Sequence, residues 1–135
     1  MIYFIRYLHY LVEIFYSTYV FIFPPKYDIY FVFFIFLMSF HWIFLKHECI
    51  LSVIEKKLEN SNYVIGSTPK RHIYRDKCPQ FIFYITAVLL FVNLLIVYKR
   101  SYNSNIIRFL IITSVIIIIY YKLILKLENI NNNIQ

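Results

Sequence analysis

Four long apolar stretches constrain the fold of this chain more than any other feature of its sequence. They cover approximately residues 7–23, 27–45, 81–98 and 106–125. Each has about the 17–25 residues that a helix needs to cross the hydrocarbon core of a bilayer, and apolar side chains fill all of its faces. We therefore predict an all-α fold, an integral membrane four-helix bundle in which residues 1–135 form a single transmembrane domain.

The composition excludes several other classes of protein. Hydrophobic residues make up 61% of the chain and charged residues 16%, whereas soluble domains average roughly 45–50% and 25%. The second and fourth stretches lack the alternation of apolar and polar residues that a transmembrane β-barrel requires. The chain has one glycine, which excludes glycine-rich phosphate loops and dinucleotide-binding motifs. We expect a membrane protein that is not an enzyme and binds no cofactor.

The basic residues are distributed unequally between the two sides of the predicted bundle. With four spans, both termini and the central loop, residues 46–80, share one side. That side holds ten lysines and arginines: Arg6, Lys46, Lys56, Lys57, Lys70, Arg71, Arg75, Lys77, Lys122 and Lys126. The opposite side holds four: Lys26, Lys99, Arg100 and Arg108. Because basic loops are retained in the cytosol, we predict cytosolic termini and a cytosolic central loop, in a cellular, organellar or virion membrane.

A short amphipathic helix is predicted between the second and third spans, over residues 52–60. Ser52 and Glu55 have the spacing of a capping box, in which the serine oxygen accepts from an amide three residues on and the glutamate reaches back. The predicted apolar side carries Val53, Ile54 and Leu58, and the predicted polar side carries Lys56, Lys57 and Glu59. The chain from 61 to 78 is predicted to be a loop.

A polar stripe follows one face of the first span. Steps of three and four residues align Arg6, His9, Glu13 and Ser17. One hypothesis is a small transporter or channel that uses Arg6, His9 and Glu13 as an ion or proton relay. In the alternative, Arg6 extends to the membrane interface and Glu13 pairs locally or with another subunit, in a homo-oligomer or with a different membrane protein. Both interpretations remain open.

A second polar set follows the second span. If that span continued as one helix, a single face would carry His41, Glu48, Ser52 and Glu55. A metal or redox site at the membrane edge would draw on His41, His47, Cys49 and His72, and a four-ligand zinc site on His47, Cys49, His72 and Cys78. The two cysteines could instead pair as a disulfide, or remain thiols without chemistry.

The segment 70–77 is basic and contains an aromatic residue, Tyr74. Lysine and arginine can neutralise the phosphates of nucleic acid. Beside a membrane, attraction to anionic lipid headgroups explains the same residues more simply. We therefore expect the partners of the chain to be the bilayer and its anionic lipids, and we expect no nucleic acid.

Residues 49–55, Cys-Ile-Leu-Ser-Val-Ile-Glu, resemble a motif of a family of small four-helix bacterial membrane proteins of unknown function. That family carries Cys-Pro-Leu-Thr-x-x-Glu after its second span. The matching residues are Cys49, Leu51, Ser52 in place of threonine, and Glu55, whereas Ile50 replaces the proline. The stretch from 41 to 57 and the composition also resemble small membrane proteins encoded by giant DNA viruses.

The resemblance to the bacterial family implies a four-span layout, and neither resemblance implies an activity. The function expected from the sequence is therefore that of a multi-pass integral membrane protein with a structural or interaction-based role. The alternatives are the metal or redox protein and the small transporter or channel.

Overall fold

The computed structural model describes residues 1–46, 48–67 and 80–131, which form helices joined by short turns. The helices are α1 (Ile2–Ile22), α2 (Asp28–Phe44), α3 (Ile50–Glu59), α4 (Gln80–Arg100) and α5 (Asn105–Asn131), with a 3₁₀ turn at Pro25–Tyr27. These ranges contain no strand, so the all-α class is confirmed for the part of the chain that is described.

The first connection is determined by two prolines. Phe23 ends α1 in an extended conformation (φ −108°, ψ 137°), because the ring of a following proline disfavours helical geometry. Pro25 then opens the 3₁₀ turn, where its fixed φ is favourable and its missing N–H costs nothing. Asp28 follows as the first residue of α2. The two prolines therefore produce a tight reversal between α1 and α2.

The four long helices run up, down, up and down, and the closest neighbours are parallel. α1 packs mainly against α4, and α2 packs mainly against α5. Asn93 of α4 contacts Ser17 of α1, and Arg100 at the end of α4 contacts Asp28, just beyond the end of α1. α1 and α4 therefore run in the same direction, and α3 packs on the outside of α1.

The buried centre is apolar, with serines where helices approach closely. Its members are Tyr19, Phe31, Val32, Ile35, Leu94, Val97 and Ile111. The rings of Tyr19 and Phe31 stack with centroids 3.9 Å apart. Ser39 of α2 and Ser114 of α5 are buried, and each hydroxyl donates to the carbonyl four residues earlier, at 2.8 Å in both cases. Such small, internally satisfied residues allow helices to pack closely in lipid.

Many polar side chains are buried beside the apolar centre, and many large apolar side chains are exposed. Buried polar side chains are His9, Ser17, Asp28, Ser39, Glu48, Ser52, Glu55, Lys56, Asn93 and Ser114. Large apolar side chains are exposed on every long helix, among them Tyr3, Phe4, Phe21, Tyr30, Phe44, Leu95, Ile106 and Phe109. In water the opposite arrangement is the rule.

One helical segment of the described residues, Pro25–Phe44, is long and apolar enough to cross a membrane. Only 28% of this segment is buried inside the protein, whereas the core helix of a soluble protein is mostly covered. Asn105–Tyr120 is a shorter apolar helix.

α2 does not continue into α3, so the condition under which His41, Glu48, Ser52 and Glu55 would share one helical face is not met. α2 ends at Phe44, and Lys46 has a positive φ of 48°. α3 begins at Ile50, whose N–H donates to Nε2 of His41 at 3.2 Å. The imidazole of His41 therefore caps α3, at a point where the chain reverses.

The predicted capping box is wrong, and two residues of α3, Ile54 and Lys56, lie on the opposite faces from those predicted. Cys49 is the N-cap of α3 and makes no side-chain capping bond. Ser52 lies inside the helix and is buried, while Glu55 pairs with Arg6 instead of its own helix start. Ile54, predicted on the apolar inner side, is exposed, and Lys56, predicted on the polar side, is buried. The covered face therefore combines apolar residues, Leu51 and Val53, with side chains held in ion pairs, Glu55 and Lys56.

Candidate functional site

An ion-pair network joins the start of α1 to α3. Nε of Arg6 donates to Oε1 of Glu55 at 2.5 Å, and Nη2 of Arg6 donates to Oε1 of Glu59 at 2.9 Å. Glu55 is 2% exposed and Glu59 is 34% exposed. We call Arg6, Glu55 and Glu59 the Arg6 cluster. Its guanidinium spans two carboxylates one helical turn apart, so it fixes both the position and the rotation of α3.

The remaining stripe residues of α1 are covered by the protein. His9 and Ser17 are buried and Glu13 is half-buried. Arg6 contacts α3 through Glu55, and the carbonyl of Ser17 accepts from Asn93 of α4. The stripe that the sequence indicated therefore faces α3 at its start and α4 farther along.

A second network surrounds Glu48 at the junction of α2 and α3. Oε1 of Glu48 accepts hydrogen bonds from the hydroxyl of Tyr63 and from the N–H of Gly66, the latter at 3.2 Å. Nζ of Lys56 lies 3.2 Å from the same oxygen and donates to the hydroxyl of Tyr63 at 3.1 Å. We call these four residues the Glu48 cluster. It folds the turn after α3 back onto the link that precedes α3.

Glu48 is completely buried, and its Oε2 has no hydrogen-bond partner among the described residues. A buried carboxylate is tolerated when a cation and hydrogen-bond donors compensate it. Lys56 supplies that charge from two turns away on α3. The sequence analysis did not identify this pairing, because Tyr63 and Gly66 belonged to a segment predicted only as loop.

Gly66 provides a stability prediction for the Glu48 cluster. Its φ is +85°, and a Cβ there would lie 2.7 Å from Cδ of Lys46. We expect Gly66→Ala to lower the free energy of unfolding by about 1–3 kcal/mol, because a side chain at positive φ is strained. The control is Asn62→Ala, on the exposed turn nearby. This substitution should change the free energy of unfolding by about 0.5 kcal/mol or less. Equal stabilities of the two variants in a denaturant titration would contradict the strain.

The opposite end of the bundle has its own network around Asp28, which is fully buried. Nε of Arg100 donates to Oδ2 at 2.7 Å, and Nη2 of Arg100 donates to Oδ1. The hydroxyls of Tyr19 and Ser101 also donate to this carboxylate, at 3.0 and 3.3 Å. We call these four residues the Asp28 cluster. It joins the ends of α1 and α4 to the start of α2.

The Asp28 cluster was not predicted, although a signal was present in the sequence. Asp28, the second residue of the predicted second span, is the one acidic residue at the predicted non-cytosolic end of the bundle, which carries four basic residues. An isolated acid beside the end of an apolar span requires a cation when it is buried. The sequence does not specify which of the four cations pairs with it.

Asn93 joins α1 and α4 in the middle of the bundle. Its Oδ1 accepts from the N–H of Val20, and its Nδ2 donates to the carbonyl of Ser17, both at 2.8 Å. Nδ2 also donates to the carbonyl of Leu89 at 2.7 Å. Amide groups that bond across helices are a common means of association in lipid.

The described residues contain no group of three or more His, Cys, Asp or Glu side chains that could hold a metal ion. The thiol of Cys49 is free and buried, and Nε2 of His41 accepts the Ile50 amide. The other members of the two predicted ligand sets, His47, His72 and Cys78, lie outside the described residues, so the metal and disulfide hypotheses remain predictions. The basic segment 70–77 lies outside them as well.

Cys49 provides a test of thiol reactivity. Burial raises the pKa of this thiol, and the nearby charge of Glu13 raises it further. A raised pKa lowers the fraction of thiolate, which is the reactive form. The test uses a Cys78→Ser variant and maleimide at pH 7.5. We expect Cys49 to be modified at least about tenfold more slowly in the folded protein than after unfolding in dodecyl sulfate. Equal rates would contradict the buried placement.

Chemically, these clusters bind helices to one another. Each carboxylate of the Arg6 and Asp28 clusters accepts from an arginine side chain. No protein-family model, curated protein or solved structure matches this chain.

Proposed function

We propose that this chain is a small multi-pass membrane protein with a structural or interaction-based role. The observation that supports it is the inverted distribution of polarity, with ion pairs and amide groups inside and large apolar side chains outside. Such a surface is favourable in hydrocarbon and unfavourable in water.

The lengths of three of the four long helices are those expected of membrane spans. α1 and α4 have 21 residues each and α2 has 17, which correspond to about 25–31 Å at 1.5 Å per residue. This matches the roughly 30 Å hydrocarbon thickness of a bilayer. The Arg6 and Glu48 clusters lie at one end of the bundle and the Asp28 cluster lies at the other, where polar groups meet the interfaces.

The orientation is part of the proposal. Ten basic residues against four favour the end that carries the Arg6 cluster as the cytosolic side. Both termini and the segment between α3 and α4 then face the cytosol.

An interaction role is favoured over chemistry because the charges of the bundle are used internally. Arg6, Glu55 and Lys56 bind one another or Glu48, and the Asp28 carboxylate is paired with Arg100. What such a molecule presents to its surroundings is a continuous apolar surface, suited to lipid or to the spans of another membrane protein.

A transporter role is a second candidate, and one observation favours it. The polar stripe of α1 continues on α4, where Thr86, Asn93 and Arg100 recur every seven residues. Tyr16 hydrogen-bonds Thr86 and Asn93 bonds Ser17, so polar groups follow the α1–α4 contact along its length. Proton flux into proteoliposomes that is abolished by Glu13→Gln would support this role, and unchanged flux would exclude Glu13 from it.

Membrane topology tests the proposal directly. Single cysteines at Asn62 and Asn103, in a Cys49→Ala and Cys78→Ala background, report on the two ends of the bundle. We expect the protein to resist carbonate extraction, and an impermeant maleimide to label the two positions from opposite sides of sealed membranes. Release by carbonate, or labelling of both positions from one side, would overturn it.

A further inference from the structure

One face of α3 is turned away from the rest of the described protein. Ile50 is 45% exposed and Ile54 is 39% exposed, and Lys57 is exposed beside them. Lys46, on the link that precedes α3, is exposed as well. We call these four residues the outer face of α3. We propose that the outer face lies in the interfacial region of the cytosolic leaflet and binds anionic lipid headgroups, an inference that rests on the proposed membrane function.

The position of α3 along α1 supports a location of the outer face in the interfacial region. Cys49, at the start of α3, lies near Glu13, and Glu55 lies against Arg6 and near His9. α3 is therefore antiparallel to residues 6–13 of α1 and shares their depth over about 10 Å. It lies beside the bundle end instead of projecting away from it.

The neighbouring surface of α1 indicates what surrounds α3 at that depth. Tyr7, Tyr10 and Leu11 are exposed on α1 at the level of α3. Tyrosines are enriched where the bilayer meets water, because one end of the ring is apolar and the other is polar. An outer face with two isoleucines at the same level suits the same environment.

Charge complementarity indicates anionic lipids. The acidic residues of α3 and its preceding link are turned away from the outer face: Glu48 and Glu55 are buried in ion pairs, and Glu59 binds Arg6. Lys46 and Lys57 therefore carry the charge at the outer face. Lysine near an anionic membrane surface contributes attraction, and two lysines beside apolar anchors form a headgroup site.

A tryptophan at Ile54 tests the depth. The full chain carries Trp42→Phe as its background substitution and is reconstituted into phosphatidylcholine–phosphatidylglycerol vesicles. The probe is Ile54→Trp. The control is Val64→Trp, on the exposed turn after α3. We expect brominated lipid to quench the probe at position 54, and aqueous acrylamide to quench the control several-fold more than the probe. Ile50→Trp is the second probe if Ile54→Trp alters the helical circular dichroism.

The headgroup that lies at the outer face is identified by placing bromine on one lipid or on the other and comparing the quenching. At equal mole fraction, brominated phosphatidylglycerol should quench the probe at least about twofold more than brominated phosphatidylcholine, since two lysines enrich the anionic lipid locally. Lys46→Gln with Lys57→Gln should remove that difference. Equal quenching by the two lipids without these substitutions would overturn the proposal.

Two further results would also overturn it. Free access of acrylamide to the probe would place the outer face in water, and shielding from both acrylamide and brominated lipid would place it against protein. Carbonate extraction of the same preparation distinguishes failure of this headgroup site from failure of the proposed membrane function. A protein that stays in the membrane while the probe is in water fails only this proposal, whereas a protein that is released fails the membrane function itself.

Discussion

Replacement of Arg100 by methionine should destabilise the protein more than any other single change considered. The guanidinium supplies the only basic side chain within salt-bridge distance of Asp28 among the described residues, and Asp28 is 1% exposed. Removing one partner leaves a buried, uncompensated carboxylate, which costs about 3–5 kcal/mol. Titration of the folded protein in mixed micelles with dodecyl sulfate, followed by circular dichroism, measures the loss.

Lys99→Met is the matched control, because Lys99 is the exposed neighbour of Arg100 on the same helix. It should change the free energy of unfolding by about 0.5 kcal/mol or less. The double variant Asp28→Asn with Arg100→Met should recover part of the loss, since no charge is then left unpaired. If Arg100→Met were as stable as Lys99→Met, the Asp28 cluster would not hold the bundle together.

The second large effect is expected at Glu55. Glu55→Ala removes the 2.5 Å bond to Arg6 and leaves the guanidinium, itself 18% exposed, with Glu59 alone. We expect a loss of roughly 2–3 kcal/mol. Amide hydrogen exchange should also become faster throughout α3, because the Arg6 cluster fixes this helix on α1.

Glu59→Ala provides the comparison within the same cluster. Both glutamates bind Arg6, but Glu59 is 34% exposed, and exposed ion pairs contribute about 0–1 kcal/mol. Exchange in α3 should therefore remain slow in Glu59→Ala. Similar exchange rates in the two variants would show that α3 is held by its apolar contacts instead.

The sequence was sufficient to predict the helices, because their signals are local. Unbroken apolar runs and the Pro24–Pro25 pair determined where α1 and α2 lie, and the structure extends the runs by only a few residues, to Ile2 at one end and Asn131 at the other. The break after the second apolar stretch was predicted, since that stretch was placed at 27–45 and the short helix at 52–60. The chain reversal at this break was not predicted. It depends on a positive φ at Lys46 and on the ring of His41, which accepts the N–H of Ile50, and neither has a signal in the residue types alone.

The buried networks depend on contacts between distant residues. The α1 stripe was visible because its members recur at helical spacing. Glu48, by contrast, lies on the link before α3 and binds Lys56 on α3 and Tyr63 and Gly66 on the turn after it. Its pairing depends on the chain reversal that precedes α3. Ile54 and Lys56 were assigned to the wrong faces of α3 for the same reason: hydrophobic pattern assumes that the buried side is apolar, whereas Lys56 is buried against the carboxylate of Glu48.

The parallel pairing of α1 with α4 and of α2 with α5 has a consequence for biogenesis. The bonds of Asn93 to α1 and of Arg100 to Asp28 join residues 72 to 76 positions apart. In the proposed membrane protein, the first hairpin therefore enters the bilayer with its Asp28 carboxylate bonded by Tyr19 but without its cation, and with its contact site for Asn93 unoccupied, until the second hairpin is synthesised. Until then the second hairpin of a neighbouring copy could supply the same contacts.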